Sequence, residues 1–191
     1  MDFHIGAYQV PTKIYGTMAR TAVLSPANLS DMPTNWTFPW RELWRNNRID
    51  GLTIVKMSIE DEVWGLVQYG IFPRNNPSIV VIDHLETNPV NRGKQSPRLV
   101  EPVGKWLIWY CVNVGLKLIS QSNLGDERLV LLFSKPRAFE YYDSKIGMNY
   151  QGTKYLSPGE KVHEFIFTQQ GAFEYSTSQQ EIWGSPTPID S

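Results

Sequence analysis

The window from 99 to 114, "LVEPVGKWLIWYCVNV", constrains this chain more than any other stretch. Leu99, Val103, Trp106, Tyr110 and Val114 recur at steps of three and four, the period of one helix face. Leu107, Ile108 and Cys111 widen that stripe until most of the circumference is apolar. A helix of this kind has little surface to offer water, so it has to lie on a sheet and be covered elsewhere. Gly115 supplies a stop for it.

Strand-like runs stand on both sides of this helix. "GLTIVKMSI" (51–59) alternates, with Thr53, Val55, Met57 and Ile59 on one face and Lys56 and Ser58 on the other. Glu60-Asp61 breaks the run, and "EVWGLVQYGIF" (62–72) resumes it. "PRNNP" (73–77) is a turn, and "SIVVIDHLET" (78–87) is a third strand. Three such runs with short connections predict an antiparallel meander. Beyond the helix, 116–120 reads as a short strand or a helix tail, and "RLVLLFS" (128–134) as a buried strand. The stretch 135–147 reads as a helix opened by Pro136 and closed by Gly147, and 161–168 as a last strand.

The predicted class is α+β (mixed α/β), with a central, mostly antiparallel twisted sheet flanked by helices. One domain is expected over 1–168, with its core at 50–168 and a variable N-terminal segment at 1–48. That segment scatters Pro, Asn and Trp; only "PWRELWRNN" has helical character, with Trp40 and Trp44 on one face. Residues 169–191 are polar and rich in Ser, Thr, Gln and Pro, so a disordered or loosely docked tail is expected.

Net charge is −1, which gives no electrostatic case for nucleic acid or an anionic membrane. No run approaches the ~20 apolar residues that span a bilayer. The N-terminus lacks the basic start and apolar core of a signal peptide. The single cysteine, Cys111, sits in an apolar run and reads as a small buried hydrophobe, so a cytoplasmic location is expected. His4, His84 and His163 are too dispersed for a metal motif, and no metal is expected.

A strand ending in Asn88-Pro89-Val90-Asn91-Arg92-Gly93-Lys94 is followed by the long helix, a strand, and Tyr141-Tyr142-Asp143-Ser144-Lys145-Ile146-Gly147-Met148. This order resembles the GNAT family of acyl-CoA-dependent N-acyltransferases, whose third strand usually ends in Pro-x-x-Arg-Gly and whose later helix reads Phe-Tyr-Glu-Lys-x-Gly-Phe. The second motif is one residue longer here. The resemblance covers residues 50–168. It implies acyl-CoA, acetyl-CoA or another, held where two central strands part. The acceptor it implies is an amine on a small molecule or a peptide, with a homodimer as a compatible assembly. The acceptor side of such a fold is built from variable segments, here 1–48, where Trp36, Trp40 and Trp44 are candidate lining residues.

In that frame the cofactor contacts fall on Leu85, Thr87, Arg92, Gly93, Lys94, Gln95, Ser96 and Arg98. Amides near Leu85 to Thr87 polarise the thioester carbonyl, and amides at the helix start receive the diphosphate. The family loop, Arg/Gln-x-x-Gly-x-Gly/Ala, is altered: Gln95 and Pro97 occupy both small-residue positions. Pro97 offers no N–H, Ser96 is a candidate N-cap, and Lys94, Arg92 and Arg98 bring charge instead. Pro102 conflicts with a helix starting at 97, so either the first turn is distorted or the helix starts at 101–102.

The resemblance places three catalytic candidates. Glu86 is the candidate base and His84 its partner or substitute, since alternation puts both on one face of the third strand, with Asp83 turned to the long helix. Tyr142, or Tyr141 given the extra residue, matches the family tyrosine that protonates the leaving thiolate. The altered loop also allows a second reading, a GNAT-fold binding or structural module without acyl-CoA chemistry.

Overall fold

A computed structural model of the chain describes residues 4–92, 98–119 and 128–189, the side chains of 48–50 excepted. The unreadable N-terminal segment opens with β1 (Ala7–Ile14) and β2 (Met18–Pro26), a hairpin whose turn holds Tyr15 and Gly16 at positive φ. Pro11 hid β1. It lies between the part of β1 paired with the C-terminal strand (7–9) and the part paired with residues 100–101, where the outer edge of the strand has no described partner. Helix α1 (Trp40–Asp50) follows and ends at Gly51, a left-handed cap with φ 62.

The expected meander is present as β3 (Leu52–Ile59), β4 (Glu62–Phe72) and β5 (Ile79–Thr87), paired antiparallel in sequence order. Next, Val100–Glu101 forms a two-residue strand, β6, on β1. The long helix, α2, runs over Val103–Ile119. It therefore begins neither at 97 nor at 101–102. Pro102 stands just ahead of it, where its missing N–H breaks no helical bond. Residues 116–119 continue the helix rather than form a strand, so Gly115 does not stop it; it lies buried within α2, where a Cβ would stand 2.9 Å from Leu129 Cγ.

Strand β7 (Arg128–Ser134) lies parallel to β5. The helix expected at 135–147 is instead a 3₁₀ turn (Pro136–Ala138) followed by a π-helical turn (Tyr141–Ile146) closed by Gly147 at φ 78. The extra residue relative to the family motif is thus absorbed in a wider helical turn. Strands β8 (Asn149–Ser157) and β9 (Glu160–Thr168) complete that side. The sheet order is β10-β1-β2-β3-β4-β5-β7-β9-β8, where β10 is the C-terminal strand Thr187–Ile189, with β6 joined to β1.

Residues 169–189 are not a loose tail. Thr168 caps α3 (Gln169–Trp183), and β10 (Thr187–Ile189) pairs with β1. The helix is mostly polar because only a narrow strip, Ala172, Tyr175, Ser176 and Gln179, is buried. Tyr175 donates its hydroxyl to Lys105 O at 3.0 Å, and Asn113 Nδ2 donates to Ser176 Oγ at 3.0 Å, which ties α3 to α2.

The core divides by sheet face. One face packs on α2 through Val55, Met57, Val67, Tyr69, Val80 and Ile82, with Trp106, Leu107, Tyr110 and Cys111 buried above them. Gly65 permits this contact, since a Cβ there would lie 2.5 Å from Val103 Cγ1 and 2.8 Å from Leu107 Cδ1. The other face carries α1 on a smaller cluster, Met32, Trp40, Ile54 and Leu66. Among the described residues no helix is long and apolar enough to cross a membrane.

Candidate active site

Strands β5 and β7 pair only over Val80–Ile82 and Val130–Leu132. Past Ile82, β5 runs on to Thr87 while paired with β4 on its other side, so its edge parts from β7. A β-bulge sits at the same place. Tyr69 faces Ile82 and Gln68 faces His84, leaving Asp83 as the extra residue.

The bulge changes which residues meet the core. Val80, Ile82 and then Leu85 face α2, a spacing of two followed by three. His84 and Glu86 consequently turn together to the α1 face, and Asp83 is exposed rather than directed at the long helix. One inserted residue thus keeps a histidine and a carboxylate out of the main core and places them beside the parting strands.

Glu86 is 6% exposed and accepts hydrogen bonds from four donors. Thr37 N donates to Oε1 at 2.7 Å, Phe38 N to Oε2 at 3.2 Å, and Trp40 Nε1 to Oε2 at 2.6 Å; Arg92 Nη2 completes the set on Oε1. Burial works to raise the carboxyl pKa, but the Trp40 indole and the Thr37 and Phe38 amides outweigh it and hold it below the usual range. Arg92 also donates to Thr87 O at 2.9 Å and to Thr37 Oγ1 at 2.7 Å. Glu86 and Arg92 together fasten the segment 37–40 across the end of β5.

His84 lies two residues before this clamp and is half-buried. Its ring meets Phe38 edge-on at 4.7 Å and Trp40 at 6.4 Å between centroids. Nδ1 is 2.7 Å from Gln68 Oε1, and Gln68 Nε2 donates to Asn47 Oδ1 at 2.5 Å. Burial pushes the imidazole pKa below 6.5; Asp83 and Glu86 oppose the shift and Lys135 adds to it.

Across the strand, Leu85 approaches the first turn of α2. A Cβ on Gly104 would stand 3.9 Å from Leu85 Cδ2 and 2.6 Å from the Tyr141 hydroxyl. Tyr141 therefore brings its oxygen to the start of α2, where orphan helix amides gather. Its pKa is pushed up to about 12 by burial, with Arg98 drawing it back. Tyr142 is 8% exposed and turns into the core against Phe165, 5.9 Å between centroids; burial raises its pKa.

The structure therefore brings His84, Glu86 and Arg92 together on the α1 side of β5, with Arg92 also bonded to the Thr87 carbonyl, and Leu85 and Tyr141, with Arg98 near enough to act on the phenol, on the α2 side. Gly93, Lys94, Gln95 and Ser96, with Pro97, lie outside the described residues. Gln68 and Asn47 escaped sequence reasoning. Both carried a signal: Gln68 is a lone amide inside an apolar strand run and needs a partner once buried, and Asn47 follows Trp40 and Trp44 on one helix face. Among the described residues no three His, Cys, Asp or Glu side chains gather as a metal site.

No protein-family model matches the chain, and no curated protein does. Solved structures do. Mycobacterium smegmatis RimJ in complex with CoA-disulfide superposes with a TM-score of 0.57 at 10% identity, covering 95% of this chain and 97% of that one. The aminoglycoside acetyltransferase AAC(6')-Ib, in complex with coenzyme A and kanamycin, gives 0.54 at 17% identity, over 81% and 98%. A GNAT-family acetyltransferase from Bacillus cereus gives 0.52 at 11% identity, over 78% and 97%. At these identities the likeness is one of architecture alone. The fold of this chain is that of the GNAT acetyltransferases.

Proposed function

We propose that this chain is an N-acyltransferase that moves an acetyl or other acyl group from acyl-CoA to an amine by direct attack. The observation that carries the reading is the parting of β5 from β7 after Ile82 and Leu132, beside the start of α2. A thioester lying in that gap has the free edge of β5, around Leu85 to Thr87, to polarise its carbonyl. The diphosphate falls to residues 92–98. Arg92 is engaged by Glu86, Thr37 and Thr87, so Arg98 is the described cation best placed to serve it. That structures of the same fold are found in complex with CoA supports acyl-CoA as the donor.

For acid–base work the chemistry favours His84 as base over Glu86. A carboxylate with four donors and a lowered pKa holds its lone pairs in use, whereas a neutral imidazole near pH 7 keeps one available. Tyr141 rather than Tyr142 is the candidate acid for the departing thiolate, because its hydroxyl reaches the gap side of α2. The test is release of free coenzyme A thiol from acetyl-CoA across a panel of aliphatic amines, polyamines and peptide N-termini. Amine-dependent release supports the reading; no release above the amine-free rate with any acceptor removes it.

A second reading, a binding module on the same fold, draws on the clamp itself. Segment 37–40 lies across the acceptor face, and Arg92 is taken up by Glu86, Thr37 and Thr87. A chain that turns over acetyl-CoA with any amine excludes it.

A further inference from the structure

The α1 face of the sheet holds two buried amides that no catalytic role has yet absorbed. Gln68 is 2% exposed and Asn47 9%. An amide placed among apolar neighbours is costly unless its bonds are made, and these two make theirs in one direction. Gln68 Nε2 donates to Asn47 Oδ1 at 2.5 Å, which leaves Gln68 Oε1 as an acceptor facing His84 Nδ1 at 2.7 Å. An acceptor there requires a proton on Nδ1. A neutral ring protonated at Nδ1 carries its lone pair on Nε2.

The chain of contacts spans three elements, from α1 through β4 to β5, and it meets β5 at the bulge where the strand leaves β7. Phe38 and Trp40 hold the ring from the covering segment without contributing charge. The charged groups facing it are Asp83 and Glu86 on its own strand and Lys135 beyond β7.

We propose that Gln68 and Asn47 are positioning residues that hold His84 in its Nδ1-protonated form, so that Nε2 accepts the proton of the acceptor amine. This rests on the acyltransferase reading above. In the step, the amine nitrogen forms a bond to the acyl carbon, the carbon–sulfur bond breaks, and one N–H proton passes to Nε2. Coenzyme A leaves as a thiolate that takes the Tyr141 proton, and the phenolate is reprotonated by the imidazolium through solvent. Glu86 remains ionised throughout as the fastening for segment 37–40.

The test combines ring-nitrogen NMR with kinetics on the full chain. In the ¹⁵N-histidine-labelled protein above pH 7, His84 is expected to show a protonated Nδ1 and a bare Nε2. Gln68→Leu removes the acceptor and should mix the tautomers and lower kcat on the order of 10- to 100-fold, a part of the ~10²–10⁴-fold that a general base supplies, since the base itself remains. KM for acetyl-CoA should hold. Gln68→Glu keeps an acceptor and adds a charge, so it should restore turnover while moving the acid limb of the pH–rate profile to higher pH. Asn47→Leu, milder in position, should give a smaller loss of the same kind, and thermal melting confirms that each variant is folded. A proton on Nε2 in the native protein overturns the inference, as does unchanged kcat in folded Gln68→Leu. Wild-type protein that binds no acetyl-CoA in calorimetry overturns the acyltransferase reading and this inference with it. Binding with turnover indifferent to Gln68 overturns this inference alone.

Discussion

Glu86→Gln tests the clamp at the end of β5, and its cost can be worked from the contacts. Each carboxylate oxygen takes two donors: Thr37 N and Arg92 on Oε1, Phe38 N and Trp40 Nε1 on Oε2. An amide keeps one acceptor oxygen, so whichever way it turns, two donors face an NH₂ group. Turning the NH₂ toward Arg92 and Thr37 is the cheaper choice, since the Arg92 side chain is 34% exposed and water replaces its bond. The Thr37 amide is then unpaired and the remaining two bonds lose their charge assistance. With about 1.5–3 kcal/mol for a hydrogen bond to a charged group, the net loss is about 3 kcal/mol. For a chain of this size that lowers Tm by roughly 6–12 °C at pH 7. The sign with pH follows from the lowered pKa. The carboxylate contributes fully above its ordinary 4.5 and loses that contribution as pH falls through the lower folded value, so the gap between native and variant should close in acid. Urea unfolding followed by tryptophan fluorescence reads both quantities, with Trp36, Trp40 and Trp44 in or beside the clamped segment. A variant within about 0.5 kcal/mol of native at pH 7, a typical surface value, would refute the reasoning.

Three further outcomes follow. Gly104→Ala puts a Cβ 2.6 Å from the Tyr141 hydroxyl, so we expect overpacking of about 1–3 kcal/mol, read by thermal melting; an unchanged melt would show that the ring is not held there. Tyr141→Phe should lower kcat and Tyr142→Phe should leave kcat near native, since Tyr142 packs on Phe165 within the core; equal effects would erase the distinction. Cys111 is fully buried and burial raises its thiol pKa, so Ellman's reagent should find no thiol in the native chain and one after unfolding; rapid native labelling would contradict the packing of α2.

Much of the architecture was legible because its cause is local. The strands at 51–87 and the buried helix announce themselves through period and apolar content, and Gly147 and the turn at 73–77 punctuate them, whereas Gly115 lies inside α2 and stops nothing. Other elements depend on distant partners. Helix α3 shows α2 only Ala172, Tyr175, Ser176 and Gln179, too thin a strip to stand out in a polar run. Strand β8 is exposed along nearly its whole length and so has no alternation to read. The bulge at Asp83 has no marker in the residues themselves, yet it sets the face of every side chain from His84 onward. The candidate site divides in the same way. His84 and Glu86 stand out by residue type, but what each can do is set by Gln68, Asn47, Thr37 and Trp40, brought in from 16 to 49 positions away.

The account turns on whether the gap beside β5 receives acyl-CoA. Isothermal titration of the full chain with acetyl-CoA, extended to millimolar ligand, measures this without an acceptor or an assumed reaction. Saturable heat with one site per chain, weakened by Arg98→Ala, is the predicted result. Absence of heat, together with an unshifted melting temperature at the same ligand concentration, would contradict it.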